Sequence, residues 1–124
     1  WQGRGAAAVE AASRALALSP LDPIKYYFES LAAAAYLAHE DFSVAVELAA
    51  HSLRLNRFHT PTLRVLAISQ MLSGDVAGAR ATVVELKRLE PALTAEAYLR
   101  RYPGGDVPHA AVYANALAEA GLPP

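Results

Sequence analysis

The 124-residue sequence contains no cysteine, one methionine and one tryptophan. Without cysteine, the chain has no disulfide, thiolate metal ligand or cysteine nucleophile, and this composition suits a reducing compartment such as the cytoplasm. An excess of either charge is also missing, since eleven Lys and Arg against twelve Asp and Glu give a net charge of -1. This balance creates no field that attracts nucleic acid or an anionic membrane surface, so we expect neither as a partner.

No uninterrupted apolar run is long enough for a signal peptide or a membrane span. The sequence starts at Trp1 rather than at a methionine, and we therefore expect a fragment of a larger protein. Much of the 54% hydrophobic content is alanine, which favours helix over strand, and no alternating strand pattern appears. The predicted fold class is all-α.

Start and stop signals divide the chain into seven predicted helices. Asp22 is the predicted N-cap of the second helix, with Pro23 at its first position. Asp41, Asp75 and Thr94 are the predicted N-caps of the third, fifth and sixth helices. With their caps, the predicted helices cover about 5–18, 22–38, 41–55, 60–74, 75–90, 94–102 and 108–120.

One pattern of residues in 41–57 recurs 34 residues later in 75–91, and 34 residues is the period of a helix-turn-helix repeat. Small residues at Ala45 and Ala79 would let the two helices of each pair approach closely. We therefore expect one repeat domain over 1–124, with a partial repeat at 1–20, repeats at about 23–57 and 58–91, and C-terminal helices at 94–120. The matched positions are Asp41, Ala45, Ala49, Leu55 and Arg57 with Asp75, Ala79, Val83, Leu89 and Pro91; Ala8, Ala12, Ala15 and Leu18 form a fainter copy.

The repeats resemble tetratricopeptide (TPR) repeats, whose first helix carries a large residue, Leu-Gly and Tyr, and whose second carries small and large residues before a closing proline. The third copy matches this pattern at Leu63, Leu66, Ala67, Gly74, Ala79 and Pro91. The sequence departs from it at Glu29 in place of the aromatic, Gln70 in place of tyrosine, Glu40 in place of the turn glycine and Arg57 in place of the closing proline. The resemblance implies a right-handed superhelix of antiparallel helix pairs.

Two short phrases resemble TPR segments at the C-terminal end of multidomain bacterial signalling proteins, notably class III adenylate/guanylate cyclases and some winged-helix regulators. They are residues 19–23 (Ser-Pro-Leu-Asp-Pro) and 120–123 (Ala-Gly-Leu-Pro). The resemblance implies a cytoplasmic interaction or regulatory module whose parent protein carries the catalytic or DNA-binding domain.

The first helices of TPR arrays line a concave groove, and this resemblance implies a partner-binding site on the second and fourth helices. Ser30 and Ala34 stand where carboxylate-clamping families carry lysine and asparagine, so an apolar or amphipathic segment of a protein or peptide is the expected partner. The alternative is that the seventh helix or missing repeats bury these residues. The predicted groove consists of Tyr27, Ser30, Ala34, Leu37, Arg64, Ile68 and Met71.

No catalytic, cofactor or metal constellation is predicted. Glu47 and His51 lie four positions apart, as metal ligands or as an ordinary side-chain pair, and the pair is favoured because no third ligand is near. Three hypotheses remain: a non-enzymatic protein-interaction module, a small-ligand-binding regulatory domain acting on an upstream domain, and an enzyme. The last is disfavoured for want of a base with a nucleophile.

The first helix has no upstream helix in this sequence to cover its apolar stripe. Exposed apolar surface favours self-association, and a two-fold contact is the commonest form. We therefore expect a homodimer, or at least a crystal contact, through the N-terminal helix, as a result of truncation rather than of physiology; the alternative is partial fraying of that helix. The stripe consists of Ala8, Ala12, Ala15 and Leu16, with Trp1 adding a large ring.

Overall fold

A computed structural model describes residues 2–18, 21–101 and 107–124, and the described side chains are those of 9, 10, 12–18, 21–101 and 109–124. Within these ranges the protein has seven helices and no strand, which confirms the all-α prediction. No described helix combines the length and apolarity needed to cross a membrane. The helices are α1 (Gln2–Ala17), α2 (Lys25–Ala38), α3 (Phe42–Leu55), α4 (Thr60–Ser73), α5 (Val76–Leu89), α6 (Ala95–Arg101) and α7 (Val107–Glu119).

Each helix from α1 to α4 packs against the next one along the chain. Two further contacts join helices that are not consecutive, since α4 packs on both α2 and α7, and the short α6 packs on α7, the next helix along the chain. The main hydrophobic core lies among α2, α3, α4, α5 and α7. Consequently α4 lies at the centre of the molecule, and α7 rather than the short α6 supplies its C-terminal neighbour.

The repeat period of the sequence is reproduced in the helix boundaries. Helices α3 and α5 start at residues 42 and 76 and end at 55 and 89, the same offset at both ends. Both predicted N-caps are confirmed, because Asp41 accepts from the Val44 N–H at 3.4 Å and Asp75 from the Gly78 N–H at 3.0 Å. Ala45 and Ala79 are both fully buried, as close packing within each helix pair requires.

The turns that end α2 and α4 also share one geometry. Gly74 has a left-handed backbone with φ of 96°, and the equivalent residue of the preceding repeat, Glu40, has φ of 64°. In each turn the N–H of the following aspartate donates to the carbonyl five positions earlier, at 2.9 Å in both. Glu40 therefore adopts the backbone of a turn glycine while carrying a side chain, which costs free energy.

The start of α2 differs from the prediction. The helix begins at Lys25 with Ile24 as its N-cap, so Asp22 is not the cap. Asp22 Oδ1 accepts instead from the Ile24 N–H at 3.0 Å, and its carbonyl accepts from the Lys25 N–H, which makes a turn ahead of the helix.

Thr94 is the N-cap of α6 as predicted, since its hydroxyl accepts from the Ala97 N–H. Trp1, residues 19 and 20, and the predicted loop at 103–105 with Tyr102 lie outside the described residues.

Candidate functional site

The structure divides the predicted groove between surface and core. Tyr27 and Ala34 of α2 are exposed, while Arg64 and Met71 of α4 are half-buried. Ser30, Leu37 and Ile68 are buried, the last with only 1% of its surface exposed. The seven residues therefore do not form one continuous open surface.

The packing of helix α7 explains why equivalent residues of the two repeats differ in burial. Ile68 shares the main core cluster with Tyr113 and Leu117 of α7, and α7 packs directly on α4. Ala34 precedes Ile68 by one repeat period and occupies the same place on α2, but it is exposed. This position is thus covered in α4 and open in α2.

We call the open surface of Tyr27, Leu31 and Ala34 the outer face of α2. Tyr27 and Leu31 are 47% and 44% exposed. Leu31 was not among the predicted residues, although its spacing of i+4 from Tyr27 and i-3 from Ala34 places it on the same side of the helix. A helical projection centred on Tyr27 would have found it.

Arg64, the predicted cation of the groove, is already paired within the chain. Its Nη1 donates to Glu90 Oε1 at 2.6 Å, and both side chains are about three-quarters buried. This pair joins α4 to the C-terminal end of α5. Arg64 therefore contributes to the packing of its repeat, and its guanidinium is not freely available to a partner.

A chain of hydroxyl groups and an imidazole joins α2 to α4. The Thr62 hydroxyl donates to Ser30 Oγ at 2.8 Å, and His59 Nδ1 lies 2.7 Å from the same Thr62 oxygen. Burial and the nearby Arg64 guanidinium lower the pKa of His59 below its ordinary value. The imidazole contacts Thr62 rather than Ser30, and both hydroxyls are buried, so this arrangement does not present a nucleophile to a substrate.

A cavity of about 690 Å³ lies between α1, α2 and α3, within the size range of small-molecule sites. We call it the α1–α3 cavity. Its lining combines apolar side chains with charged groups of both signs. The lining residues are Ala12, Leu16, Lys25, Glu29, Tyr36, Val44, Val46, Glu47, Leu48, Ala50, His51 and Arg54.

Glu29 is the least expected residue of this cavity, because its side chain is only 7% exposed. Its Oε2 is paired with Nδ1 of His51 on α3. This pairing corrects the prediction that His51 would pair with Glu47 one turn earlier on its own helix. The physical reason is burial: a carboxylate removed from water gains more from a nearby imidazole than an exposed one does.

The N-terminal stripe is less open than predicted. Ala15 is buried and α1 packs on α2, whereas Leu16 is 82% exposed. Trp1 and the side chain of Ala8 lie outside the described residues, so the proposed dimer stays a prediction.

Within the described part of the chain, no group of three or more His, Asp or Glu side chains is placed to hold a metal ion. No protein-family model, curated protein or solved structure matches the chain.

Proposed function

We propose that this chain is a non-catalytic, TPR-like module that binds a protein partner through the outer face of α2. The observation that carries the proposal is that one repeat position is covered in α4 and open in α2. Helix α7 packs on α4, where Ile68 is buried, and the equivalent position on α2, Ala34, is exposed. Because a helix occupies this face in one repeat, an amphipathic helix is the partner that suits it in the other.

The order of helix packing supports the TPR-like part of the proposal. Consecutive helices pack in series, and the first helices of the two repeats, α2 and α4, contact each other directly. Stacked helix pairs of a right-handed superhelix have this set of neighbours. The proposed parent is a multidomain bacterial signalling protein, on the resemblance of residues 19–23 and 120–123. The proposed site of action is the cytoplasm, because the absence of cysteine suits a reducing compartment.

Selection from a displayed library of amphipathic helices tests the partner-binding face. Leu31→Asp places a charge at the centre of the outer face of α2 and should abolish capture of the selected helices. Val84→Asp is the matched control, because Val84 is an exposed apolar residue of α5 far along the chain. Circular dichroism should be the same for both variants. Equal loss of capture by both variants, or retained capture by folded Leu31→Asp, would place the site elsewhere.

The second candidate function is a small-ligand-binding regulatory domain that controls an upstream cyclase or DNA-binding domain. The α1–α3 cavity favours it, since its volume suits a small molecule and its lining combines apolar and charged side chains. A ligand that binds the purified chain saturably and leaves helix capture unchanged would support this candidate alongside the first.

A further inference from the structure

We propose that the α1–α3 cavity binds a small organic cation, an ammonium or guanidinium group on an aliphatic stem, with Glu29 as its anionic partner. The inference gives the second candidate function a class of ligand and rests on that candidate. It does not depend on the outer face of α2. Tyr27, Leu31 and Ala34 lie on the opposite side of the helical projection from Glu29.

The first reason is the position of Glu29 in the repeat. Leu63 follows Glu29 by one repeat period and is a buried member of the main apolar core. A carboxylate at this place is costly, because a buried charge is stable only when it is paired and hydrogen-bonded. A leucine would pack there without that cost. The free-energy cost of burying the Glu29 carboxylate has a functional reason if a ligand binds to its negative charge.

The second reason is that one of the two carboxylate oxygens of Glu29 is buried and lacks a hydrogen-bond donor. Oε2 lies within ion-pair distance of His51 Nδ1 without hydrogen-bond geometry, and Oε1 is buried and receives no hydrogen bond from any residue that the structure describes. A carboxylate oxygen only accepts, so the missing group must be a donor. Ammonium and guanidinium groups are the donors that form the strongest hydrogen bonds with carboxylates.

The basic residues of the lining do not favour an anion instead. Lys25 is a buried residue one turn before Glu29 on α2, and its Nζ donates to the Leu18 carbonyl at 3.3 Å. Arg54 is exposed, so water solvates its guanidinium. Among the carboxylate, ammonium and guanidinium groups described in the lining, Glu29 is the one with a buried atom that lacks a hydrogen bond.

The rim of the cavity suits an aliphatic stem. Leu16 of α1 lines the cavity while most of its side chain is in contact with water, and Ala12 lies one turn earlier on the same helix. A ligand stem that covers Leu16 removes apolar surface from water, which stabilises the complex. Because Oε1 is buried, the Glu29 carboxyl group would rotate toward the cavity when the cation binds.

Titration of the whole chain with butylammonium and butylguanidinium, followed by amide and imidazole NMR shifts, tests the site. We expect saturable shifts at residues 25–29 and at His51, and none with butyrate at equal ionic strength. Glu29→Gln keeps the size of the side chain and removes its charge, so the affinity for both cations should fall about tenfold or more. Glu85→Gln, which removes a carboxylate from α5, is the matched control and should bind like the wild type.

Three outcomes would overturn the proposal: no saturable shift with either cation, equal affinity for butyrate, or unchanged affinity in folded Glu29→Gln. Should Glu29→Gln fail to fold, Glu29→Leu restores the residue type of the equivalent repeat position, and cation binding by that variant would equally overturn it. The Leu31→Asp variant should bind butylammonium normally, which separates this test from that of the partner-binding face.

A short blocked peptide with one lysine distinguishes two sources of the same cation. Tighter binding of the peptide than of butylammonium assigns the ammonium group to a lysine side chain of a polypeptide. Weaker binding assigns it to a free amine. Both results retain Glu29 as the anionic partner.

Discussion

Replacing Glu40 with glycine should stabilise the protein. Glu40 has a φ of 64°, and the equivalent residue of the next repeat, Gly74, already is a glycine. Left-handed backbone costs a residue with a side chain roughly 1 to 2 kcal/mol, because Cβ approaches the following carbonyl oxygen. Glycine avoids this cost but loses more entropy on folding, which offsets about 0.5 to 1 kcal/mol of the gain. The expected net gain in the free energy of unfolding is therefore about 0.5 to 1 kcal/mol.

Thermal and urea unfolding followed by circular dichroism measure this change. For a chain of this length the midpoint should rise by about 2 to 5 °C. Glu40→Ala is the control for charge, since a negative side chain at the C-terminal end of α2 interacts unfavourably with the helix dipole. Alanine removes that charge but keeps Cβ, so it should recover little of the gain.

Gly74→Ala is the reverse experiment. A Cβ at Gly74 would meet no atom within 4 Å, so the cost comes from backbone conformation and not from a clash. We expect the free energy of unfolding to fall by about 1 kcal/mol or more. An unchanged or lower midpoint in Glu40→Gly, or equal midpoints in Glu40→Gly and Glu40→Ala, would refute the assignment of strain to the Glu40 backbone.

Three further predictions follow from the packing and the titration of single residues. Ala79→Leu should overpack α5 against α4 and lower the free energy of unfolding by roughly 1 to 3 kcal/mol, and an unchanged melting midpoint would show that the repeat phase is wrong. Because the pKa of His59 is lowered in the folded state, the unfolded chain binds a proton more readily, and the free energy of unfolding should fall as pH drops through 6.5 and level off below the folded-state pKa. His59→Gln should flatten this dependence of stability on pH, and an identical dependence in the variant would contradict the prediction. Leu16→Lys should weaken the N-terminal homodimer in sedimentation equilibrium, and a strictly monomeric wild-type chain at high micromolar concentration would exclude that dimer.

The sequence predicted the helices well because their signals are local. Asp41, Asp75 and Thr94 cap helices through hydrogen bonds to residues three positions ahead, which the spacing of the sequence already contains. Asp22 failed as a cap because Asx turns and N-caps use the same residue types, and only the backbone distinguishes them.

The site was predicted less well because its features depend on contacts between distant parts of the chain. The burial of Ile68 results from α7, which lies far beyond α4 in the sequence, and no repeat pattern indicates where such a helix packs. The pairing of Glu29 with His51 is likewise a contact between two helices. The departure of Glu29 from the repeat was visible in the sequence, but the cavity beside it was not.

Partner binding through the outer face of α2, as we propose it, would use a small surface. This face runs from Tyr27 to Ala34, so it is one helix wide and about 10 Å long. Contacts of this extent fall at the small end of protein interfaces, where complexes form and dissociate quickly. For the proposed parent protein, long-lived attachment would require additional contacts or several tethered copies, whose linked binding raises the effective concentration. The proposed binding face therefore predicts rapid exchange of partners rather than permanent assembly.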